Sequence, residues 1–277
     1  MPILAIIITV ICEQKSLLSN MRRKAWEYLE KYVEYFIERP IDTPRKLRLI
    51  YLFACLPVII ILLGLKLVLI KHMAIMLIIN LFLFMLSIQI LTWKEEAKQE
   101  EAADKRSFIN TYATRFFAPL FWFLILPSAI GSISYLIIIC QSAELKARNL
   151  DTLIYNHVVD KMLFYANLIP YALLFLLIAL AGDFEEVTHY IVEQKKNFSK
   201  SFYFLENMLH EIVLIAIGKG KFQIDGTWYT DQGEIEAAVL DDQRFTREIT
   251  AYIVAILYRA SLFFIGIIAV VCIAAMF

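Results

Sequence analysis

The chain has 277 residues, 60% of them hydrophobic, with a mean hydropathy of +0.64. Soluble domains hold about 45–50% apolar residues, so an ordinary water-soluble globule is excluded. The 27 basic and 27 acidic residues cancel to a formal net charge of zero, which leaves no electrostatic case for nucleic acid as a partner.

The first apolar run, "PILAIIITVIC", is eleven residues long and ends at Glu13. It reads as a short span, an interfacial segment or the apolar part of a signal peptide. With no basic leader and no A-x-A-like site, cleavage is not expected. Asn20 is a candidate cap for "MRRKAWEYLEKYVEYFIERP", where Trp26, Leu29, Val33, Phe36 and Ile37 form one stripe and Pro40 ends the run. Residues 13–48 are therefore expected to form an amphipathic cytoplasmic helix, lying on the membrane surface, packed on its neighbours or meeting a partner.

A bilayer core of about 30 Å needs roughly 20 apolar residues in a helix. Segments of that kind run over Leu49–Ile70, Met73–Trp93, Phe116–Cys140, Met162–Gly182 and Ile253–Phe277, so four to five spans are expected. The third, "FFAPLFWFLILPSAIGSISYLIIIC", is interrupted by Pro119, Pro127 and Gly131. Pro119 lies near its start, where a missing N–H costs little. Pro127 is central, which predicts a kinked helix whose small residues let others approach. Asn80, Gln89 and Asn167 are polar groups inside spans and are expected to bond between helices. Residues 183–249 read as a helical insertion, with a long helix through "YFLENMLHEIVLIAIG". Next the pattern breaks at "GKGKFQIDGTWYTDQGE", where the glycines of "GKGK" end the helix and the Gly/Asp-rich turn region suits a small hairpin, with Asp231 and Glu234 as a capping pair for the last helix.

Lys and Arg number nine, five and seven in segments 13–48, 94–115 and 183–249, against one in 71–72 and three in 141–161. The positive-inside rule places the rich segments in the cytoplasm. The chain is thus expected to be all-α: a single polytopic membrane helix bundle over residues 1–277. Its cytoplasmic parts would be the helix at 13–48, a connection at 94–115 and an insertion at 183–249.

Little in the sequence suggests catalysis. There is no G-x-S-x-G, and His72, His157, His189 and His210 show no H-E-x-x-H or i, i+4 pairing. Cys12, Cys55, Cys140 and Cys272 lie in or beside apolar runs without a C-x-x-C. No metal and no cofactor are expected. Buried charge is the more informative signal, because ionisable groups in a membrane are costly. Arg259 precedes eighteen apolar residues that nearly span alone, so it is expected at the cytoplasmic boundary, snorkelling or pairing with an acid or bound anion.

At this point the motifs resemble a known family. "FFAPLFWFLILPSAIGSISYLI", with Ala118, Pro119, Leu120, Phe121 and Trp122 followed by Gly131, resembles the signature of AmpE and of the CbiB/CobD cobalamin-biosynthesis membrane proteins. "ANLIPYALLFLLIALAGDFEEV", with Pro170, Gly182 and Asp183, is similar to the Ile-Pro and Ala-Gly-Asp-Phe pattern of the same superfamily. "TVICEQ" with Glu13 and the Arg259-containing final span fit as well.

The enzyme branch carries an acidic stretch ahead of A-P-L-F-W. Here those positions read "RSFINTYATRF", without the carboxylates that Mg²⁺ and ATP require. The resemblance therefore implies the AmpE branch: a multi-pass bacterial inner-membrane regulatory or accessory protein linked with β-lactamase induction and cell-wall recycling, without catalysis of its own. Its partners would be the bilayer and a protein at the cytoplasmic face or a second copy. One alternative is an amide-forming enzyme of the CbiB/CobD kind, or a binder of an anionic ligand using Glu13, Arg115 and Arg259. A small transporter, suggested only by the proline-broken helix, is a further alternative.

Overall fold

The computed structural model describes residues 19–37, 44–68, 72–88, 105–126, 129–147, 153–218, 222–224, 227–229 and 242–274. Nearly all of these are helical, in agreement with the all-α expectation. In chain order the helices are α1 (Ser19–Ile37), α2 (Pro44–Val68), α3 (Met73–Ser87) and α4 (Lys105–Tyr112). A π-helical turn (Ala113–Phe117) leads from α4 into α5 (Ala118–Ile125), followed by α6 (Ile130–Ala147), α7 (Leu153–Ala181), α8 (Phe184–Gln194), α9 (Phe202–Gly218) and α10 (Asp242–Ala274). Between α9 and α10 lies a small antiparallel hairpin, β1 (Phe222–Ile224) with β2 (Thr227–Tyr229), in the register Phe222 opposite Tyr229. It occupies the turn-rich stretch where the sequence predicts one.

Three helices among the described residues are long and apolar enough to cross a membrane: Arg45–Val68, His157–Ala181 and Ala251–Val271. The first runs about 36 Å at 1.5 Å per residue, more than a hydrocarbon core needs. Only 11% of its most apolar window is buried, and Leu52, Phe53, Ile60, Ile61 and Leu67 are exposed on it. An apolar face of that extent is compatible with a lipid surrounding and would be a liability in water.

The chain divides into two compact units, one of residues 1–91 and 114–170 and one of residues 92–113 and 171–277. In the first, α6 is the central helix, with α1, α2, α3 and α5 all packed on it. It is buried nearly all round, including Ser132, Gln141 and Ser142, as a helix with neighbours on every side must be. Polar contacts lace its neighbours together: Tyr32 Oη donates to the Ala54 carbonyl at 2.7 Å, Tyr51 Oη and Ser142 Oγ share a hydrogen bond at 3.0 Å, and the Cys55 thiol donates to the Ser134 carbonyl. The stripe on α1 faces inward, with Val33 and Ile37 buried and Tyr28 and Tyr35 exposed on the other side. Asn20 falls inside α1, which starts at Ser19, so it does not cap the helix. In the second unit α9 is central, touching α4, α8 and α10.

The largest departure from expectation is the proline-broken stretch. Phe116–Cys140 is not one kinked helix but two helices folded back on each other. α5 ends at Ile125, Leu126 is extended (φ −95°, ψ 146°), and α6 starts at Ile130. The residue before a proline is steered away from the helical region, and Leu126 precedes Pro127, which itself lies outside the described residues. The reversal has two signatures. In a continuous helix Trp122 and Gly131 would be about 13 Å apart, yet a Cβ on Gly131 would sit 2.1 Å from the Trp122 carbonyl oxygen. Arg115 and Cys140 would be about 37 Å apart, yet Arg115, Glu144 and Glu30 all bear electrostatically on the Cys140 sulfur. α3 is also shorter than expected: it spans 15 residues to Ser87, after which Ile88 is extended.

Candidate functional site

The residues singled out by the sequence motifs fall in both units, and in each they hold helices together. Ala118, Pro119, Leu120, Phe121 and Phe123 of α5 are buried. Pro119 opens α5 at its first turn, where it has no N–H to offer the Arg115 carbonyl four residues back. The ladder widens to the π-helical turn just upstream, a local feature often found at functional positions. Phe123 stacks on Phe84 of α3 with ring centroids 3.9 Å apart, and Asn80 Oδ1 of α3 accepts from the Ala129 amide at 3.4 Å.

Trp122 and Pro170 form a complementary pair. Pro170 lies inside α7 and cannot donate to the carbonyl of Ala166, four residues earlier. Trp122 Nε1–H supplies the missing donor, bonding the Ala166 carbonyl at 3.0 Å. One residue on, Asn167 Nδ2 donates to the Leu163 carbonyl at 2.9 Å, and its Oδ1 accepts from Tyr135 Oη of α6 at 2.8 Å. The inter-helix bonding expected of Asn80 and Asn167 is thus present; Gln89 lies outside the described residues.

Gly182 and Asp183, in the second unit, make a similar joint. A Cβ on Gly182 would meet the Ala216 carbonyl oxygen at 2.3 Å, so only glycine lets the end of α7 lie against the last turn of α9. The Asp183 amide donates to that carbonyl at 3.2 Å. The Asp183 carboxylate caps α8 by accepting from the Glu186 amide at 3.2 Å, with Glu185 and Glu186 in the same first turn.

Of the candidate ligand residues two are described, one in each unit. Glu13 lies outside the described residues. Arg115 is exposed on the π-helical turn in the first unit, with Glu30 and Glu144 nearby around Cys140. Arg259 is exposed on α10 in the second unit, at one end of an open groove of about 660 Å³ lined by Leu262, Phe263, Gly266, Ile267 and Val270 among others. No group of three or more His, Cys, Asp or Glu side chains comes together as a metal site among the described residues. Asp231 and Glu234, the expected capping pair, lie outside the described residues.

Two polar features were not legible in the sequence. Tyr112 Oη shares a hydrogen bond with Ser261 Oγ at 2.5 Å and donates to the Leu257 carbonyl at 3.1 Å, tying α4 to α10. Beside α8, burial first and then Glu211 and Glu193 hold the Tyr190 phenol above its ordinary range. His210 Nδ1 sits 3.6 Å from Glu211 Oε1, too far for a hydrogen bond. Neither feature has a motif spacing, since each joins residues distant in sequence or of ordinary type.

Compared with known proteins, the chain matches no family model, no characterised protein and no solved structure.

Proposed function

We propose that this chain is an AmpE-like protein of the bacterial inner membrane, with a regulatory or accessory role in β-lactamase induction and cell-wall recycling signalling and no catalysis of its own. In this reading it crosses the bilayer four to five times: α2, α7 and α10 are long enough by themselves, and α3 and the α5–α6 hairpin complete the bundle. The basic-rich connections 13–48 and 94–115 would face the cytosol, where a partner protein could dock.

The observation that supports a non-catalytic role is where the motif residues are spent. Trp122 and Pro170 complete each other's backbone hydrogen bonding, Gly131 and Gly182 permit close helix approach, and Asp183 caps α8. A catalytic constellation needs its polar groups converging on a reacting atom. Here the motif's polar groups are consumed in packing.

The test is genetic and chemical together. Removing the gene should change β-lactamase induction by a cell-wall-active inducer, with recovery on re-expression of the whole chain. The purified chain supplied with a corrinoid acid, an amino alcohol, Mg²⁺ and ATP should form no amide. Amide formation would replace this reading with the enzymatic one, and unchanged induction would remove the regulatory role.

A further inference from the structure

The groove on α10 combines an apolar face with a guanidinium. Among the described residues its lining is almost wholly apolar apart from Arg259, which stands at one end. Arg259 is exposed, and no ion-pair partner holds it among the described residues. A guanidinium in an apolar span is costly unless it reaches water, a counter-charge or a headgroup.

The geometry of the helix sets the scale. Arg259, Leu262, Phe263, Gly266, Ile267, Val270 and Val271 follow the i, i+3, i+4 spacing of one helical face. From Arg259 to Val271 is about 18 Å along the axis, close to one leaflet of a core about 30 Å thick. Midway, Gly266 has nothing within 4 Å of where a Cβ would stand, so the missing side chain leaves a notch in the face and is not forced by a neighbouring backbone. The groove lies within a helix segment, Ala251–Val271, apolar enough to cross a membrane. Hydrocarbon is its natural medium.

We propose that this groove holds one phospholipid with an anionic headgroup: the acyl chain lies along Leu262, Gly266 and Val270, and the phosphate is held by Arg259. Guanidinium matches phosphate both in charge and in paired donor geometry. A zwitterionic lipid fills the same apolar face but offers Arg259 no net charge. A second copy of the chain would fill the notch with side chains and leave Arg259 facing another Arg259. Charge complementarity therefore selects the lipid. The inference needs only that α10 crosses a membrane, and it is independent of the regulatory role.

The experiment is native mass spectrometry on the full chain released from nanodiscs holding equal amounts of phosphatidylglycerol and phosphatidylcholine. Wild type should retain one phosphatidylglycerol in preference. Arg259→Gln should lose that preference by about fivefold or more, and Arg259→Lys should keep most of it. Gly266→Leu should displace lipid of either headgroup without lowering the thermal unfolding midpoint in detergent, because the added side chain meets open space and leucine favours the helix over glycine. Equal retention of the two lipids by wild type, or unchanged preference in Arg259→Gln, overturns the proposal. So does efficient disulfide dimerisation through a cysteine at position 266 in the nanodisc, which would show a second copy in the groove.

Discussion

A half-buried tryptophan can contribute through its ring area, through its single N–H, or through both, and Trp122 allows the two to be separated. Its Nε1–H bonds the Ala166 carbonyl, the acceptor that Pro170 cannot serve. Trp122→Phe keeps an aromatic ring but leaves that carbonyl without its side-chain donor. A net hydrogen bond contributes about 1 kcal/mol, and this one is only part-buried, so the variant should lose about 1 kcal/mol in detergent-based unfolding. Pro170→Ala returns a backbone N–H to position 170. In that background the same Trp122→Phe change should cost less, with a coupling of about 1 kcal/mol in a double-mutant cycle. Additive losses would show that Trp122 acts through packing alone. The sequence displayed both residues as motif members, yet it could not reveal that each supplies what the other lacks. That relation exists only once α5 and α7 lie side by side.

Glycines at the scale of the helix sort into two kinds, and the sequence does not distinguish them. Gly131 and Gly182 are places where two backbones meet, with the nearest carbonyl oxygens 2.1 and 2.3 Å from a would-be Cβ. Gly64 and Gly266 have open space at the same point. Backbone cannot swing aside as a flexible side chain can, so Gly131→Ala and Gly182→Ala should each destabilise by about 1–3 kcal/mol or more. Gly266→Ala should instead be neutral or gain up to about 1 kcal/mol from helix propensity. Thermal unfolding of the three single variants checks this, and a neutral Gly131→Ala would mean that α5 and α6 do not approach as closely as described. Helix positions were largely readable from apolar run length and from Pro40 and Gly218 as boundaries. What was not readable was the direction the chain takes after Leu126, because proline reports a break and not the angle that follows it. The same limit applies to Arg115, which bears on Cys140 together with Glu30 of α1 and Glu144 of α6, both distant from it in sequence.

At the scale of the whole molecule, the reversal between α5 and α6 bears on how the chain is threaded through the bilayer. Counting Phe116–Cys140 as one crossing puts residues 94–115 and 141–161 on opposite faces, and it puts the connection with five basic residues opposite the one with three. A hairpin puts both on the same face. Burial favours the hairpin being held within protein: α5 has five of its eight residues buried and α6 is covered nearly all round, as non-spanning helices at membrane depth require. The decisive positions are Arg115 and Ala143, both exposed and at the two open ends of the hairpin. Cysteines placed there, in a chain whose native cysteines are replaced by alanine or serine, should react with a membrane-impermeant maleimide from the same side of sealed vesicles. Reaction from opposite sides would restore the single crossing and remove the α5–α6 reversal, and with it the contact between Gly131 and Trp122. If the two do share a face, the side reached by residues 183–249 rests on the passage of α7 alone. A reporter tag in that segment then reads the outcome directly, since one crossing of α7 carries it across the bilayer from Ala143.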